Sequence, residues 1–199
     1  MAGAFPISTA KFESLGIKSI QNTIISKTVS GKKLARQIDG QRWSFTARII
    51  TGKRSDVYGE LMAFIIKQRS GKENFTIVPP EVEDARGTAS GTPNGTASAG
   101  ATSITLGGSG TGTLKAGDFI KFANHDKVYM VVADQSDIST GTLTIEPPLT
   151  TAVSSSDIQY DNVPFTVYLT NDIQEFGVVG TAKDGALLYQ FEFDVEESL

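Results

Sequence analysis

The one histidine of the chain, His125, stands beside Asp126 in "FIKFANHDKVYMVV". A Ser-His-Asp relay needs an imidazole held between a nucleophile and a carboxylate. Ala123 to Asp126 read as turn material between two apolar runs, which places the ring at a solvated hairpin tip without the orienting contacts of a base. No serine lies in a Gly-x-Ser-x-Gly elbow. "GGSGTGTLK", residues 107–115, has the glycines of a phosphate loop. Lys115, however, follows Leu114, lacks a Ser or Thr behind it and opens no helix, so a flexible turn is expected. Asp134 and Asp137 flank "QS", and Glu81, Glu83 and Asp84 follow a proline pair. Neither set has the alternating acids and distal Glu of a calcium loop. With no cysteine, disulfides and thiolate metal sites are excluded. These residues point to no catalytic centre, no metal and no cofactor. A binding or structural protein is expected.

The elements around them belong to a chain of 199 residues, 39% hydrophobic and 20% charged. That length gives one or two domains and burial of roughly 70% of the unfolded surface. No apolar run approaches the roughly 18 residues of a membrane helix. The N-terminus lacks a charged start followed by an apolar block, so synthesis and folding in a reducing cytoplasm are expected. The net charge of −4 is unevenly spread: residues 1–86 hold 14 Lys/Arg against 8 Asp/Glu, and residues 87–199 hold 4 against 14. Complementary halves favour ordered association between copies. The basic residues are scattered singly, without the aromatic interleaving of a nucleic-acid site.

Along the chain, "TIISKTVSGKKLARQIDGQRWSFTARII" is β-branched and broken by turns at Gly31 and Gly40. Trp43, Phe45, Ala47 and Ile49 alternate with Arg42, Ser44, Thr46 and Arg48, the pattern of a half-buried strand. Val57, Leu61, Phe64 and Ile65 then fall on one helical stripe, which predicts a single helix over about 55–69. Ser55 is the expected N-cap and Gly71 the stop; Gly59 inside it marks a close neighbour. Pro79-Pro80 ends a strand in "ENFTIVPP". Residues 87–112, rich in Gly, Ser and Thr, read as a linker or weakly ordered loop. "SITL" within it reads as a short strand, and residues from about 88 to 160 hold four or five short strands in all. Near the end, Leu187, Tyr189, Phe191, Phe193 and Val195 alternate with Gln190, Glu192, Asp194 and Glu196. This acidic face suits the basic face of the Trp43 strand, across one sheet or across copies.

The expected fold is therefore mainly β with one helix and a discontinuous outer domain. Residues 1–86 and 161–199 form the outer β-domain; residues 87–160 form an inserted small all-β module, OB-like or a small sandwich.

Several stretches together resemble tailed-bacteriophage tail or baseplate structural proteins, in the layout of distal tail proteins. They are "FPISTAKFESLGIKSIQNTIISKTVSGKKLARQIDGQRWSFTARI", "AFIIKQRSGKENFTIVPP", "ARGTASGT", "LKAGDFIKFANHDKVYMVVAD", "LTIEPPL" and "NVPFTVYLTNDIQEF". The resemblance implies a tail-tube-like β-sandwich or barrel carrying the insert. It also implies a non-enzymatic ring, commonly six-fold, at the distal end of the tail tube, linking tube to baseplate or fibres. Tube, hub and baseplate proteins would be its partners, the phage tail its place in the virion, and DNA would pass in transit without specific binding. On this expectation the subunit interface uses Lys32, Lys33 and Arg36 of the hairpin, with Arg42 and Arg48 facing Glu192, Asp194 and Glu196. A tube or adaptor ring elsewhere in the tail is one alternative. A carbohydrate-binding module using Phe119, Phe122 and Tyr129 is another, and a hydrolase built on His125 a third.

Overall fold

The computed structural model describes residues 3–6, 11–38 and 40–199. The turn expected at Gly40 begins at Asp39, outside the described residues. The chain opens with strand β1 (Phe12–Ile20), then a separate hairpin of β2 (Thr23–Lys27) and β3 (Lys33–Gln37), then the long strand β4 (Arg42–Lys53). Gly31 turns the hairpin with φ 81°, the left-handed conformation for which a glycine was expected there.

β4 bears out its alternating pattern: Trp43, Phe45, Ala47 and Ile49 are buried, and the residues between them are half-exposed. The chain then enters a π turn at Arg54–Tyr58, followed by helix α1 (Gly59–Lys67). The expected cap is not used: Ser55 Oγ donates to Asp56 Oδ1 at 2.9 Å, and Lys53 occupies the cap position. The Gly59 N–H reaches Arg54 O, and a Cβ on Gly59 would lie 2.8 Å from that oxygen, which is the close neighbour the sequence marked. Helix termination also differs from expectation. Arg69 (φ 54°) and Ser70 (φ 58°) take the left-handed conformation before Gly71, whose Cβ would meet Leu169 O at 2.6 Å. Val57, Leu61 and Ile65 are buried as the stripe required.

After β5 (Phe75–Ile77), Pro79 and Pro80 turn the chain out of the sheet. It then forms β6 (Pro93–Ala97), β7 (Ser103–Gly108), β8 (Phe119–Phe122), β9 (Val128–Val131), β10 (Thr142–Glu146) and β11 (Val153–Gln159). These six close into a barrel in the order β10-β7-β6-β11-β8-β9. The chain returns through β12 (Phe165–Leu169), β13 (Phe176–Thr181) and β14 (Leu187–Glu197). The larger sheet has the antiparallel order β1-β4-β14-β12-β5, with β13 added beside the first half of β14. Phe165 of β12 is level with Ile77 of β5, so the barrel leaves and returns at neighbouring strands. At the crossing, Asn162 N–H donates to Glu83 O (2.8 Å) and Val163 N–H to Val82 O (3.3 Å).

The linker expected over residues 87–112 is corrected here. β7 is the strand expected at "SITL", but β6 also lies in that stretch as a further wall of the barrel, and the barrel has six strands rather than four or five. Small residues are there for close approach. A Cβ on Gly95 would sit 2.7 Å from Ile104 Cγ2 and 2.9 Å from Phe122 Cε1. The "GGSGTGT" turn is likewise tied down: Ser90 and Thr111 exchange backbone hydrogen bonds of 2.9 and 2.8 Å. Ile104, Ile120, Phe122, Tyr129, Val131, Leu143 and Ile145 fill the barrel interior. The larger core lies between the sheet and α1, and Val128 of the barrel is buried in it too.

Candidate assembly surfaces and the junction between sheet and barrel

His125 sits at the β8–β9 turn but is half-buried, which corrects the solvated tip expected of it. Its Nδ1 is 2.7 Å from Asn124 Oδ1 and its Nε2 is 2.7 Å from Tyr129 Oη. These partners assign the proton to Nδ1, with the Tyr129 hydroxyl donating to Nε2. Tyr129 Oη in turn lies 3.0 Å from Thr150 Oγ1 and accepts the Thr150 N–H at 3.1 Å. Burial and the nearby Lys121 ammonium push the imidazole below its ordinary pKa, although Asp126 opposes them. Asp126 itself pairs with Lys121 Nζ at 2.8 Å rather than orienting the ring. The histidine is a packing element, stacked on Phe122 with ring centroids 5.8 Å apart.

The acidic candidates organise turns. Asp134 accepts from Ala116 N–H and Lys115 Nζ, both at 2.9 Å, and these donors hold its carboxyl below the usual range. Asp137 accepts from Ser139 N–H (2.8 Å) and Oγ (2.7 Å). Among the described residues, no three His, Asp or Glu side chains converge to hold a metal ion. No helix is long and apolar enough to cross a membrane. Of the aromatics considered for sugar binding, Phe122 and Tyr129 are fully buried, and Phe119 packs edge-on against Trp43 and Phe165.

The charged faces of β4 and β14 meet within one chain. Arg42 Nη1 bonds Glu196 Oε1 at 3.1 Å, and Thr46 Oγ1 donates to Asp194 Oδ1 at 2.6 Å. Arg48 Nη2 donates to Gln190 Oε1 at 2.6 Å, and Arg48 Nε lies 3.5 Å from Glu13 Oε2. Glu192 lies level with Arg48 across the β4–β14 ladder. Of the two arrangements open to these charges, pairing across one sheet accounts for the contacts of Arg42, Arg48, Asp194 and Glu196.

Lys32, Lys33 and Arg36 lie elsewhere. The β2–β3 hairpin is exposed along both strands and, among the described residues, pairs with no other strand. It carries the large apolar side chains Ile24, Ile25, Val29 and Leu34 into solvent. An exposed two-stranded ribbon is marginal in water alone, and its open edges are sites for a partner.

The sequence reading missed the junction. Lys127, just ahead of β9, places Nζ against Glu197 Oε2 and also donates to Gln41 Oε1 at 2.8 Å. The other Glu197 oxygen accepts the Val128 N–H at 2.9 Å, and Trp43 N–H donates to Oε2 at 3.2 Å. The Trp43 indole N–H reaches Val128 O at 2.9 Å, so a sheet side chain and a barrel backbone are stitched in both directions. Burial pushes Lys127 down and Glu197 up in pKa, each toward its neutral form, while their mutual attraction resists. A signal existed. Counting by twos from Phe191, Phe193 and Val195 puts Glu197 on the apolar face, and counting back from Trp43 puts Gln41 there too. A polar group in apolar register must find a buried partner.

The whole is a β-rich structural protein, with a sheet backed by one helix and a closed barrel inserted and pinned to it. Residues 83–163 match the family model described as "Distal tail protein pb9, B domain". The matched segment begins and ends at the crossing where Glu83 and Asn162 are hydrogen-bonded. The inserted barrel is thus similar to the B domain of a phage distal tail protein, which implies a structural role at the distal end of a phage tail. No curated protein matches this chain.

Proposed function

We propose that the protein forms a ring, six-fold by the resemblance of its sequence, at the distal end of a phage tail tube. There it joins the tube to the baseplate or fibres. The division of labour in this reading is an outer tail-tube-like body, residues 1–86 and 161–199, that builds the ring, and a barrel, residues 87–160, that decorates it. The observation that carries the proposal is the β2–β3 hairpin. Its apolar and basic side chains have no place to pack within the chain, and they are accounted for by a neighbouring copy. Lys32, Lys33 and Arg36 are the contacts we assign to it. The B-domain match supports the position in the tail.

In the same reading Asp194 and Glu196 turn toward the channel, with Glu192 at its edge beside the contact between copies. Phosphate contacts dominate affinity for DNA, so an acidic wall lets DNA slide without sticking. Tube, hub or baseplate proteins stack above and below. The protein is made in the host cytoplasm and ends in the virion.

Native mass spectrometry with negative-stain microscopy of the purified protein tests the proposal. Closed rings are expected, and conversion to monomers by Leu34→Asp with Lys33→Glu in the hairpin. A wild-type protein that stays monomeric at high concentration and is not recruited to tail tubes would sink it.

A further inference from the structure

Large apolar side chains reach solvent in numbers at two places. One is the hairpin, where Ile24 is 57% and Leu34 49% exposed; the other is the corner around β13, where Ile173 is 86% and Val179 53% exposed. The cross-strand pairs Ile24–Arg36 and Ser26–Leu34 put Ile24, Leu34 and Arg36 on one face of the hairpin. At the other corner, Ile173, Glu175, Val179 and Glu192 line one groove, together with Arg48 and Gln190.

Their charges are opposite. Among the described residues, Lys27, Lys32, Lys33 and Arg36 make no ion pair within the chain, and neither do Glu175 and Glu192. The one cation in the groove, Arg48, is already engaged by Gln190 and Glu13.

Their roots stand apart in the sheet. The hairpin leaves β1 after Ile20, level with Arg42 at the start of β4. β13 lies against Leu187–Phe191, the part of β14 that is level with Ile49–Lys53 near the end of β4. Arg48 and Glu192 in the groove lie six residues along β4 from Arg42, so the root of the hairpin and the near end of the groove are about 20 Å apart along the strands at about 3.3 Å per residue. They also lie on opposite sides of β4, since the sheet runs β1-β4-β14 and β13 lies beyond β14.

We propose that these two surfaces bind each other between copies. The Ile24–Leu34–Arg36 face of one hairpin seats in the Ile173–Glu175–Val179–Glu192 groove of the next copy. The inference rests on the self-assembly reading above and adds the surface that receives the hairpin. Because donor and recipient differ, the contact repeats head to tail, the geometry of a ring or a helical stack rather than of a two-fold dimer.

The absence of native cysteines makes the test direct. Leu34→Cys is placed in one preparation and Val179→Cys in another; both are mixed and oxidised mildly. A disulfide-linked dimer of the two different variants is expected, well above the yield from either alone. Reversing one interfacial charge, Arg36→Glu or Glu175→Lys, should weaken association about ten-fold or more by sedimentation velocity, and combining both in one chain should recover most of it. Circular dichroism confirms that each variant is folded. If the hairpin variants block assembly but Glu175→Lys, Glu192→Lys and Val179→Cys give no effect and no cross-link, the recipient surface is wrong and the ring reading survives. If neither set changes the assembly state, both fall.

Discussion

Lys127 of the inserted barrel and Glu197 of the last strand form an ion pair in which both side chains are almost fully enclosed, at 2% and 0% exposure. Seventy residues separate them, and the pair fixes the barrel to the sheet. A buried pair of this kind gives little net stability against an apolar replacement, but removing one partner leaves a charge stranded. Its role here is to set orientation.

Lys127→Met should therefore destabilise the protein by about 3–5 kcal/mol. Adding Glu197→Gln, which removes the stranded charge and keeps one oxygen to accept from either the Val128 or the Trp43 N–H, should recover part of the loss. Denaturant unfolding measures both. Trp43, the one tryptophan, lies against Val128 and Phe119 and reports the junction by its fluorescence.

His125 predicts a pH response. Its folded pKa lies below the ordinary value because of burial and Lys121. The unfolded chain therefore takes up the proton first as pH falls through about 6.5. Stability should decline on acidification from about pH 7.5 to about pH 5.5, and His125→Gln should flatten that decline. Thermal unfolding at several pH values checks it. An unchanged slope in the variant would assign the response to other groups.

Gly95→Val should cost the barrel about 1–3 kcal/mol through overpacking against Ile104 and Phe122. The transition measured by circular dichroism should move down in temperature. A neutral result would mean that β6 has room on its inner face.

Arg42→Ala should change stability by no more than about 1 kcal/mol, because the Arg42–Glu196 pair is partly solvated. A larger effect on assembly than on unfolding would show that this pair also works between copies.

Much of the larger sheet was legible because its strands obey a period of two. Trp43 to Ile49 and Phe191 to Val195 alternate with one buried and one wetter face, whereas Leu187, expected on the same apolar face, is exposed. The helix was legible from its stripe, but its start was not: the π turn follows from Arg54 O accepting from Gly59, a contact that no capping pattern encodes. β6 escaped because Pro93-Asn94-Gly95-Thr96-Ala97 carries no large apolar residue. The side chains that fill the barrel beside it come from Ile104, Phe122 and Ile158 instead. The junction escaped because Lys and Glu are read by default as solvated. Only their position in the alternation, not their type, shows otherwise.

β5 and β12 are hydrogen-bonded neighbours, and the chain between them departs and comes back within a few ångströms. The outer body could thus be spanned at that point by a plain hairpin turn. A different appendage there would need new partners for the carboxylate of Glu197, the amide of Gln41 and the indole N–H of Trp43, and a cover for the apolar surface that Val128 and Phe119 now pack on. A lineage of such proteins can diversify what it presents at one portal while the sheet scaffold stays as it is.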